Sequence, residues 1–76
     1  MPHVIVKLAA GRSDEMKQAL AQRVAEALTS TIGCGAEAVS VAIEDVPMSD
    51  WTEAVYIPDI EPQLDRLYIK PGYGRT

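Results

Sequence analysis

The first hydrophobic pattern in the chain alternates with a period of two residues. In residues 3–9, HVIVKLA, the side chains of Val4, Val6 and Leu8 fall on one face, and β-branched residues are prominent. This alternation predicts a β-strand over residues 3–9. Gly11 follows the strand and predicts a turn, because glycine reaches backbone conformations that other residues avoid.

After this turn the hydrophobic period becomes that of an α-helix. Ser13 is a preferred helix-capping residue, and the two acids that follow it suit the positive end of a helix dipole. We therefore predict a helix from Ser13 to about Thr31, ended by the glycines of IGCG at residues 32–35. Its apolar stripe recurs every four residues and has a margin of smaller residues. The stripe is Met16, Leu20, Val24 and Leu28, and the margin is Ala19, Ala27 and Thr31.

A second alternating segment follows the helix and predicts a second strand over residues 38–45, AVSVAIED. One face carries Val39, Val41 and Ile43, and the other carries Ser40, Ala42 and Glu44. A strand, a helix and a strand within about 45 residues form a βαβ unit, in which the strands are parallel and adjacent. The helix covers one sheet face. The face with Ile5 and Ala42 lacks a cover within the chain, and we expect a partner subunit to supply it.

The chain beyond residue 45 is less regular. The segment VPMSDW predicts a short helical turn near residues 49–54. A short amphipathic helix is predicted to begin at Asp59 and to end before Pro71, with Leu64, Leu67 and Tyr68 as its apolar side chains. The predicted fold class is α/β (α+β): a single domain over residues 1–76, built from a βαβ unit and a short C-terminal helix, whose sheet is completed by dimerisation.

The composition changes this picture mainly through the size of the chain. Of its 76 residues, 47% are hydrophobic, which is enough for one small domain. A chain this short buries a modest fraction of its surface, and association with further copies is a common remedy. We therefore expect a homo-oligomer.

The distribution of charged and of apolar residues argues against two classes of partner, nucleic acids and membranes. The net charge is −4, from 11 acidic and 7 basic residues, and the basic residues are scattered. A nucleic-acid surface needs clustered Lys and Arg, so we expect no nucleic-acid partner. No stretch is long and apolar enough to span a membrane, and we expect no membrane association.

The same composition bears on the compartment and on cofactors. We find no signal-peptide pattern, and the single cysteine, Cys34, cannot form an internal disulfide, which favours a cytoplasmic protein. One His and one Cys without zinc-like spacing are too few to predict a metal site. We expect neither a metal nor a cofactor, and we expect Cys34 to be inert.

The first candidate for chemistry is Pro2. Removal of Met1 would leave Pro2 with a free secondary amine at the start of the first strand. An apolar pocket or a nearby cation disfavours the charged amine and lowers its pKa toward neutrality, where an amine is most useful as a general base. Such a base moves a proton between oxygen and carbon beside a carbonyl, which is keto–enol tautomerisation. The alternative is that Pro2 is an ordinary N-terminal residue.

A second candidate, Arg12, lies in the turn at the far end of the first strand. It is expected to complete the amine's site only through a neighbouring subunit, because the strand separates the two residues within one chain. The alternative is a solvated turn arginine that pairs with Asp14 or Glu15.

The residues from Pro2 to Lys17, with GRSDEMK at residues 11–17, resemble the start of the 4-oxalocrotonate tautomerase family. The chain lines up with the family without gaps as far as Trp51. Beyond it, VPMSDW and EPQLDRLYIKPGY resemble the dimeric, PptA-like (phenylpyruvate tautomerase-like) subgroup, which has a longer C-terminal segment. The resemblance implies an isomerase: a cofactor-independent tautomerase acting on a small enol or keto acid.

The resemblance also implies roles for single residues. Pro2 corresponds to the general base and Arg12 to a ligand of the substrate carboxylate. Trp51 corresponds to an aromatic pocket wall that helps to lower the pKa of the proline. Early in the second strand the family archetype has a further arginine, which polarises the 2-keto group, whereas this chain has Ser40.

The change at Ser40 bears on the substrate. A hydroxyl donates one hydrogen bond without a charge, and loss of a preorganised donor at a developing oxyanion typically costs about a hundredfold in rate. We therefore expect a monocarboxylate enol of the arylpyruvate kind rather than the archetype's dicarboxylate, and we include Ser40 among the candidate substrate-binding residues.

Three alternatives stay open. The first is a dehalogenase or hydratase of the same superfamily, in which Glu44 or Asp45 acts with Pro2 to activate water. The second is a non-catalytic dimeric binding module, and the third is a hexamer in place of the dimer. His3 follows Pro2 and could line the site, but we expect an interface or solvent-facing position for it. Tyr68 and Tyr73 could reach the pocket from the C-terminal segment, and for both we expect packing roles.

Overall fold

The computed structural model describes residues 1–75, and its amino-terminal half is the predicted βαβ unit. The elements are strand β1 (His3–Ala9), helix α1 (Asp14–Ile32), a 3-10 turn (Ala36–Ala38) and strand β2 (Ser40–Val46). The carboxyl-terminal part is helical in three pieces, which are a 3-10 turn (Met48–Asp50), a π-helix (Thr52–Ile60) and a 3-10 helix (Glu61–Arg66).

Strands β1 and β2 pair in parallel, which confirms the predicted topology. The register runs from His3 opposite Ser40 to Ala9 opposite Val46. Backbone hydrogen bonds continue the ladder past both ends of β1: the Ser40 N–H donates to the Pro2 carbonyl at 3.3 Å, and the N–H of residue 10 donates to Val46 at 2.8 Å. Strand β2 starts two residues later than predicted, because the residues before it form a 3-10 turn.

The ends of α1 follow their capping residues. The Ser13 hydroxyl accepts a hydrogen bond from the Met16 N–H at 3.2 Å, as an N-cap should. Gly33 adopts the left-handed conformation with φ of 75°, and its N–H donates to Thr29 at 3.0 Å. The helix extends one residue beyond the predicted end.

The inner face of α1 differs from the predicted one at its margin. Leu20, Val24 and Leu28 are partly buried, whereas Met16 is 59% exposed. The expected margin is wrong because its three residues are exposed, and the stripe widens on its other side. The exposed residues are Ala19, Ala27 and Thr31, and the partly buried ones are Lys17, Ala21, Ala25 and Thr29.

An ion pair lies on the widened side of the stripe. Lys17 Nζ lies 2.7 Å from a carboxylate oxygen of Asp45, on the face of β2 that α1 covers. Ala21, one turn further along the helix, lies with Lys17 and Ile43 around one surface hollow. The charged residue thereby becomes part of the inner stripe, which a hydrophobicity pattern does not predict.

The carboxyl-terminal prediction of two separate short helices is wrong. Helical backbone runs from Met48 to Ile60 without a break at residues 55–58, and the 3-10 helix that follows it is kinked at Gln63, with φ of −129° and ψ of 27°, before the extended Leu67. Tyr68 and Ile69 are fully or almost fully exposed and do not belong to an amphipathic helix. In a π-helix an N–H bonds to the carbonyl five residues back, so the 3.6-residue period behind the prediction does not apply.

Two consecutive residues of the π-helix form the buried core of the described residues. Val55 is 4% exposed and Tyr56 is 5% exposed. Ile5, on the open face of β1, remains 53% exposed. The expectation that this face has no cover within the chain is wrong at its carboxyl end, where the side chain of Asp59 in the π-helix reaches Lys7 of β1 at 2.6 Å.

Candidate active site

Pro2 sits at the amino end of β1 and is held there by the strand ladder. Its carbonyl accepts the hydrogen bond from the Ser40 N–H, and its side chain is half-buried. Met1 is fully exposed, so the Met1–Pro2 peptide bond lies at the surface. While Met1 is attached, the Pro2 nitrogen is an amide and has no basic lone pair.

Ser40 lies beside Pro2, so these two of the predicted site residues come together within one chain. The Ser40 hydroxyl and Nδ1 of His3 share a hydrogen bond of 2.6 Å across the two strands. The pair faces the open side of the sheet, because His3 and Ser40 are register partners at its amino end. His3 is thus exposed, as expected, and it engages the hydroxyl that was predicted to meet substrate.

Arg12 lies at the other end of β1. Its Nη1 donates to the carbonyl of Ala9 at 2.7 Å, and its side chain is exposed. The seven residues of β1 separate Arg12 from Pro2 of the same chain by about 23 Å, at about 3.3 Å per residue. Within one chain these two predicted site residues are therefore far apart.

Trp51 lies at the same end as Arg12, in the wall of a cavity of about 330 Å³ at the carboxyl end of β1. The indole Nε1 donates to the hydroxyl of Tyr73 at 2.9 Å. The lining is mainly apolar and comes from Ala9, Met48, Trp51, Thr52, Tyr73 and Gly74. Ala9 lines this cavity, and its backbone carbonyl accepts the hydrogen bond from Arg12, but the Arg12 side chain lines a different hollow together with Leu8 and Met16.

Tyr73 is a cavity residue that the sequence offered only as an alternative to a packing role. Its ring packs against that of Tyr56, as expected, and the side chain is also 47% exposed and forms part of the cavity wall. One signal could have indicated its role: a buried or half-buried indole N–H usually finds an acceptor, and tyrosine hydroxyls are common ones. The expectation that Tyr68 packs is wrong, because the side chain is fully exposed.

Two ion pairs organise the charges around the sheet. Hydrogen bonding to Asp59 raises the pKa of Lys7 above its usual value, on the open face. Hydrogen bonding to Asp45 raises the pKa of Lys17 in the same way, on the helix face. In the register of the sheet, Glu44 is opposite Lys7 rather than near the start of β1, so neither acid of the Glu44–Asp45 pair lies beside Pro2 of its own chain.

Two further properties of residues 1–75 concern metals and membranes. No three side chains among the histidine, cysteine, aspartate and glutamate residues converge there to hold a metal ion. No helix in that part of the chain combines the length and the apolar composition needed to cross a membrane.

The sequence is similar to those of several known proteins. The family described as "Tautomerase enzyme" matches residues 2–55. A protein named "Probable tautomerase" from Xylella fastidiosa (strain 9a5c) is 55% identical over 75 residues, which cover 99% of this chain and 92% of that protein. A protein named "Tautomerase PptA" from Enterobacter sp. (strain 638) is 40% identical over 75 residues, covering 97% of this chain and 99% of that protein.

A solved structure with the same arrangement extends the similarity to three dimensions. The crystal structure of an apo unfused 4-OT aligns with a TM-score of 0.63 at 37% identity. The aligned part covers 64% of this chain and 80% of that chain.

Proposed function

The chain belongs to the tautomerase family, whose members are isomerases, and from this membership we propose that it is a cofactor-independent keto–enol tautomerase with Pro2 as its general base. The observation that carries the proposal is the hydrogen bond from the Ser40 N–H to the Pro2 carbonyl. It extends the strand ladder to the second residue, so that a free amine there is fixed rather than mobile.

The proposed reaction moves one proton from oxygen to carbon. The neutral amine of Pro2 takes the proton of the enol hydroxyl, and the electron pair of that O–H bond becomes the second bond of the carbonyl. The carbon–carbon double bond opens, and its outer carbon takes the proton back from the protonated amine. No oxidant, reductant or metal is needed for this balance.

The proposed site is shared between subunits. Pro2 and Arg12 lie about 23 Å apart at opposite ends of β1 within one chain, so one arginine cannot serve its own proline. A partner that pairs with the open sheet face in the opposite direction brings its Arg12 to the first subunit's Pro2. Exposure of Ile5 on that face supports this pairing. We propose a homodimer, with a hexamer as the alternative that light scattering distinguishes.

The proposed substrate is a small monocarboxylate enol of the arylpyruvate kind. Arg12 holds its carboxylate, and Ser40, which carries no charge, donates to its enol or keto oxygen. Trp51 provides an apolar wall. A dicarboxylate would need a second cation, and the position of the archetype's second arginine is a serine in this chain. We also propose a cytoplasmic location and a single tautomerase-like domain over residues 1–76.

The test begins with the intact mass of the protein, which shows whether Met1 has been removed. Ketonisation of phenylenolpyruvate is then followed by ultraviolet absorbance for the wild type and for Pro2→Ala. We expect Pro2→Ala to lower kcat by about a hundredfold or more, since general base catalysis contributes about that much. The wild-type inflection of the pH–rate profile near neutrality should vanish. Pro62→Ala, at an exposed helix start, is the matched control and should behave as wild type.

Two outcomes would overturn this proposal. Full activity in Pro2→Ala would show that Pro2 is not the general base. A lack of ketonisation by protein with a verified free Pro2 amine would show that the protein is not a tautomerase of this substrate. Halide release from a haloacrylate by that protein, without ketonisation, would identify the dehalogenase alternative. Absence of both reactions would favour the non-catalytic binding module.

A further inference from the structure

The C-terminal strap, which we define as residues 72–75, closes one side of the cavity beside Trp51. Within it, Tyr73 accepts the hydrogen bond of the Trp51 indole at 2.9 Å. The ring of Tyr73 also packs against that of Tyr56, with centroids 5.7 Å apart and planes tilted by 47°. Tyr56 belongs to the buried core, so Tyr73 links the Trp51 indole to that core.

An ion pair fastens the end of the strap. The guanidinium of Arg75 donates from Nε to Oε2 of Glu61 at 2.6 Å and from Nη2 to Oε1 of the same carboxylate. Two parallel hydrogen bonds of this kind fix orientation as well as distance. The strap is thus attached at Tyr73, through the core, and at Arg75, through the helix that starts at Glu61.

The cavity that the strap closes suits an apolar ring. Its volume of about 330 Å³ lies near the lower limit of small-molecule sites, at about 300–1,000 Å³. The Trp51 N–H is already bonded to Tyr73, so the indole offers a ligand its apolar face rather than a donor. Among residues 1–75, no charged side chain lines the cavity itself, since Arg12 reaches only the backbone carbonyl of Ala9 and lies with Leu8 and Met16 in a separate hollow.

From these contacts we propose that the strap forms the ring-binding end of the substrate site, with Tyr73 as the positioning residue that holds Trp51 against the aromatic ring of an aryl-substituted enol acid. This inference rests on the proposed tautomerase function and adds a specificity-determining residue to it. Substrates with an aromatic ring gain binding affinity from contacts in the cavity, and small aliphatic enol acids do not.

The test uses the intrinsic fluorescence of Trp51, which is the single tryptophan of the chain. Phenylacetate and acetate are titrated into the full-length protein as non-reacting probes with and without a ring. The wild type should show saturable quenching with phenylacetate and none with acetate over the same concentration range. Tyr73→Phe keeps the ring and removes the hydroxyl, and it should weaken phenylacetate binding about three- to tenfold, the effect of one hydrogen bond.

Kinetics on phenylenolpyruvate provide a second readout. Tyr73→Phe should raise KM by a similar factor with a smaller change in kcat, because Tyr73 acts on the ring and not on the transferred proton. Arg75→Gln, which releases the end of the strap, should also weaken phenylacetate binding and raise KM for phenylenolpyruvate. Tyr68→Phe is the matched control, since Tyr68 is fully exposed, and it should match wild type.

Wild-type phenylacetate binding in Tyr73→Phe would overturn the inference, as would acetate quenching equal to that of phenylacetate. Phenylacetate titration of Pro2→Ala separates this inference from the proposed function. If ketonisation fails in every form of the protein while phenylacetate still binds in a Tyr73-dependent way, the function proposal is wrong and the ring site stands. If ketonisation depends on Pro2 while Tyr73→Phe leaves phenylacetate binding unchanged, the function proposal stands and the ring-site inference is wrong.

Discussion

The Ser40 hydroxyl makes a hydrogen bond across the two strands and also lies where the substrate is proposed to bind. It stands where the family archetype has an arginine, and it shares a 2.6 Å hydrogen bond with Nδ1 of His3. A substrate oxygen that accepts a hydrogen bond from the Ser40 hydroxyl therefore either competes with Nδ1 of His3 for that hydrogen or meets a hydroxyl that His3 orients. The pair lies beside Pro2, at the end of the sheet where the proton transfer is proposed.

Arg12 is the other residue whose replacement should change substrate handling directly. Arg12→Gln removes the charge that is proposed to hold the substrate carboxylate and leaves a shorter, neutral N–H donor in place of the guanidinium that bonds to Ala9. We expect kcat/KM for phenylenolpyruvate to fall by about ten- to a hundredfold, the usual effect of losing a hydrogen bond to a charged group. Steady-state kinetics measure it.

The control for this change is Arg23→Gln, which removes the same charge from an exposed position on α1. It should leave kcat/KM within about twofold of wild type, since surface charges away from a site have small effects. Equal losses in the two variants would mean that net charge, and not the position of Arg12, controls substrate binding.

At the scale of elements, the end of α1 depends on one left-handed residue. Gly33 has φ of 75°, a conformation that costs residues with a β-carbon about 1–2 kcal/mol. Gly33→Ala should therefore lower the free energy of unfolding by that amount, read from denaturant midpoints at fixed protein concentration.

Gly72→Ala provides the comparison for Gly33→Ala. Its φ is not in the left-handed range, and an added β-carbon meets no atom within 4 Å. The variant should unfold at nearly the wild-type midpoint. A similar loss in both variants would indicate a general effect of glycine replacement instead of the helix cap.

The strap should respond to acid in a direction set by Glu61. Hydrogen bonding to Arg75 lowers the pKa of Glu61 below its ordinary value of 4.5. The stabilisation by this pair is therefore complete above pH 4.5 and is lost as the pH falls through the lower, folded-state pKa. We expect the Trp51 emission to change over that acidic range, because release of Arg75 loosens the contact of Tyr73 with the indole.

Glu61→Gln makes this pH response testable. The variant should show the acid-form emission already at neutral pH and no transition over the same range. Glu26→Gln, on the exposed face of α1, should keep the wild-type transition. An unchanged transition in Glu61→Gln would assign the acid response to another carboxylate, of which Glu53 also acts on Arg75.

At the scale of the whole molecule, a shared site predicts recovery of activity in mixed oligomers. Pro2→Ala subunits retain Arg12, and Arg12→Gln subunits retain Pro2. Co-refolding the two variants in equal amounts should produce heterodimers with one intact site each, and so about a quarter of wild-type activity. Phenylenolpyruvate ketonisation before and after co-refolding measures it.

Activity no higher than the average of the two parents would contradict a shared site, provided that light scattering shows an oligomer. The open face of β1 supplies an independent check. Ile5→Lys places a charge in the proposed interface and should produce monomers without activity, whereas Met16→Glu, in the exposed first turn of α1, should stay oligomeric. A fully active monomeric Ile5→Lys protein would disprove the need for a partner.

The sequence by itself determined the βαβ unit, because its signals are local. The two-residue alternation of β1 and β2, the Ser13 cap and the Gly33 stop each depend on a few neighbouring residues, and the structure confirms all four. The placement of Pro2 and Arg12 at opposite ends of one strand follows from the same local pattern.

Only the tertiary structure decided the carboxyl-terminal half and the cavity. The π-helix follows a hydrogen-bond period that no side-chain pattern indicates, and its residues Val55 and Tyr56 form the core that the sequence did not predict. The Trp51–Tyr73 and Glu61–Arg75 contacts join residues 22 and 14 positions apart. Such contacts depend on how the chain folds back on itself, and neither hydrophobic period nor capping chemistry encodes that path.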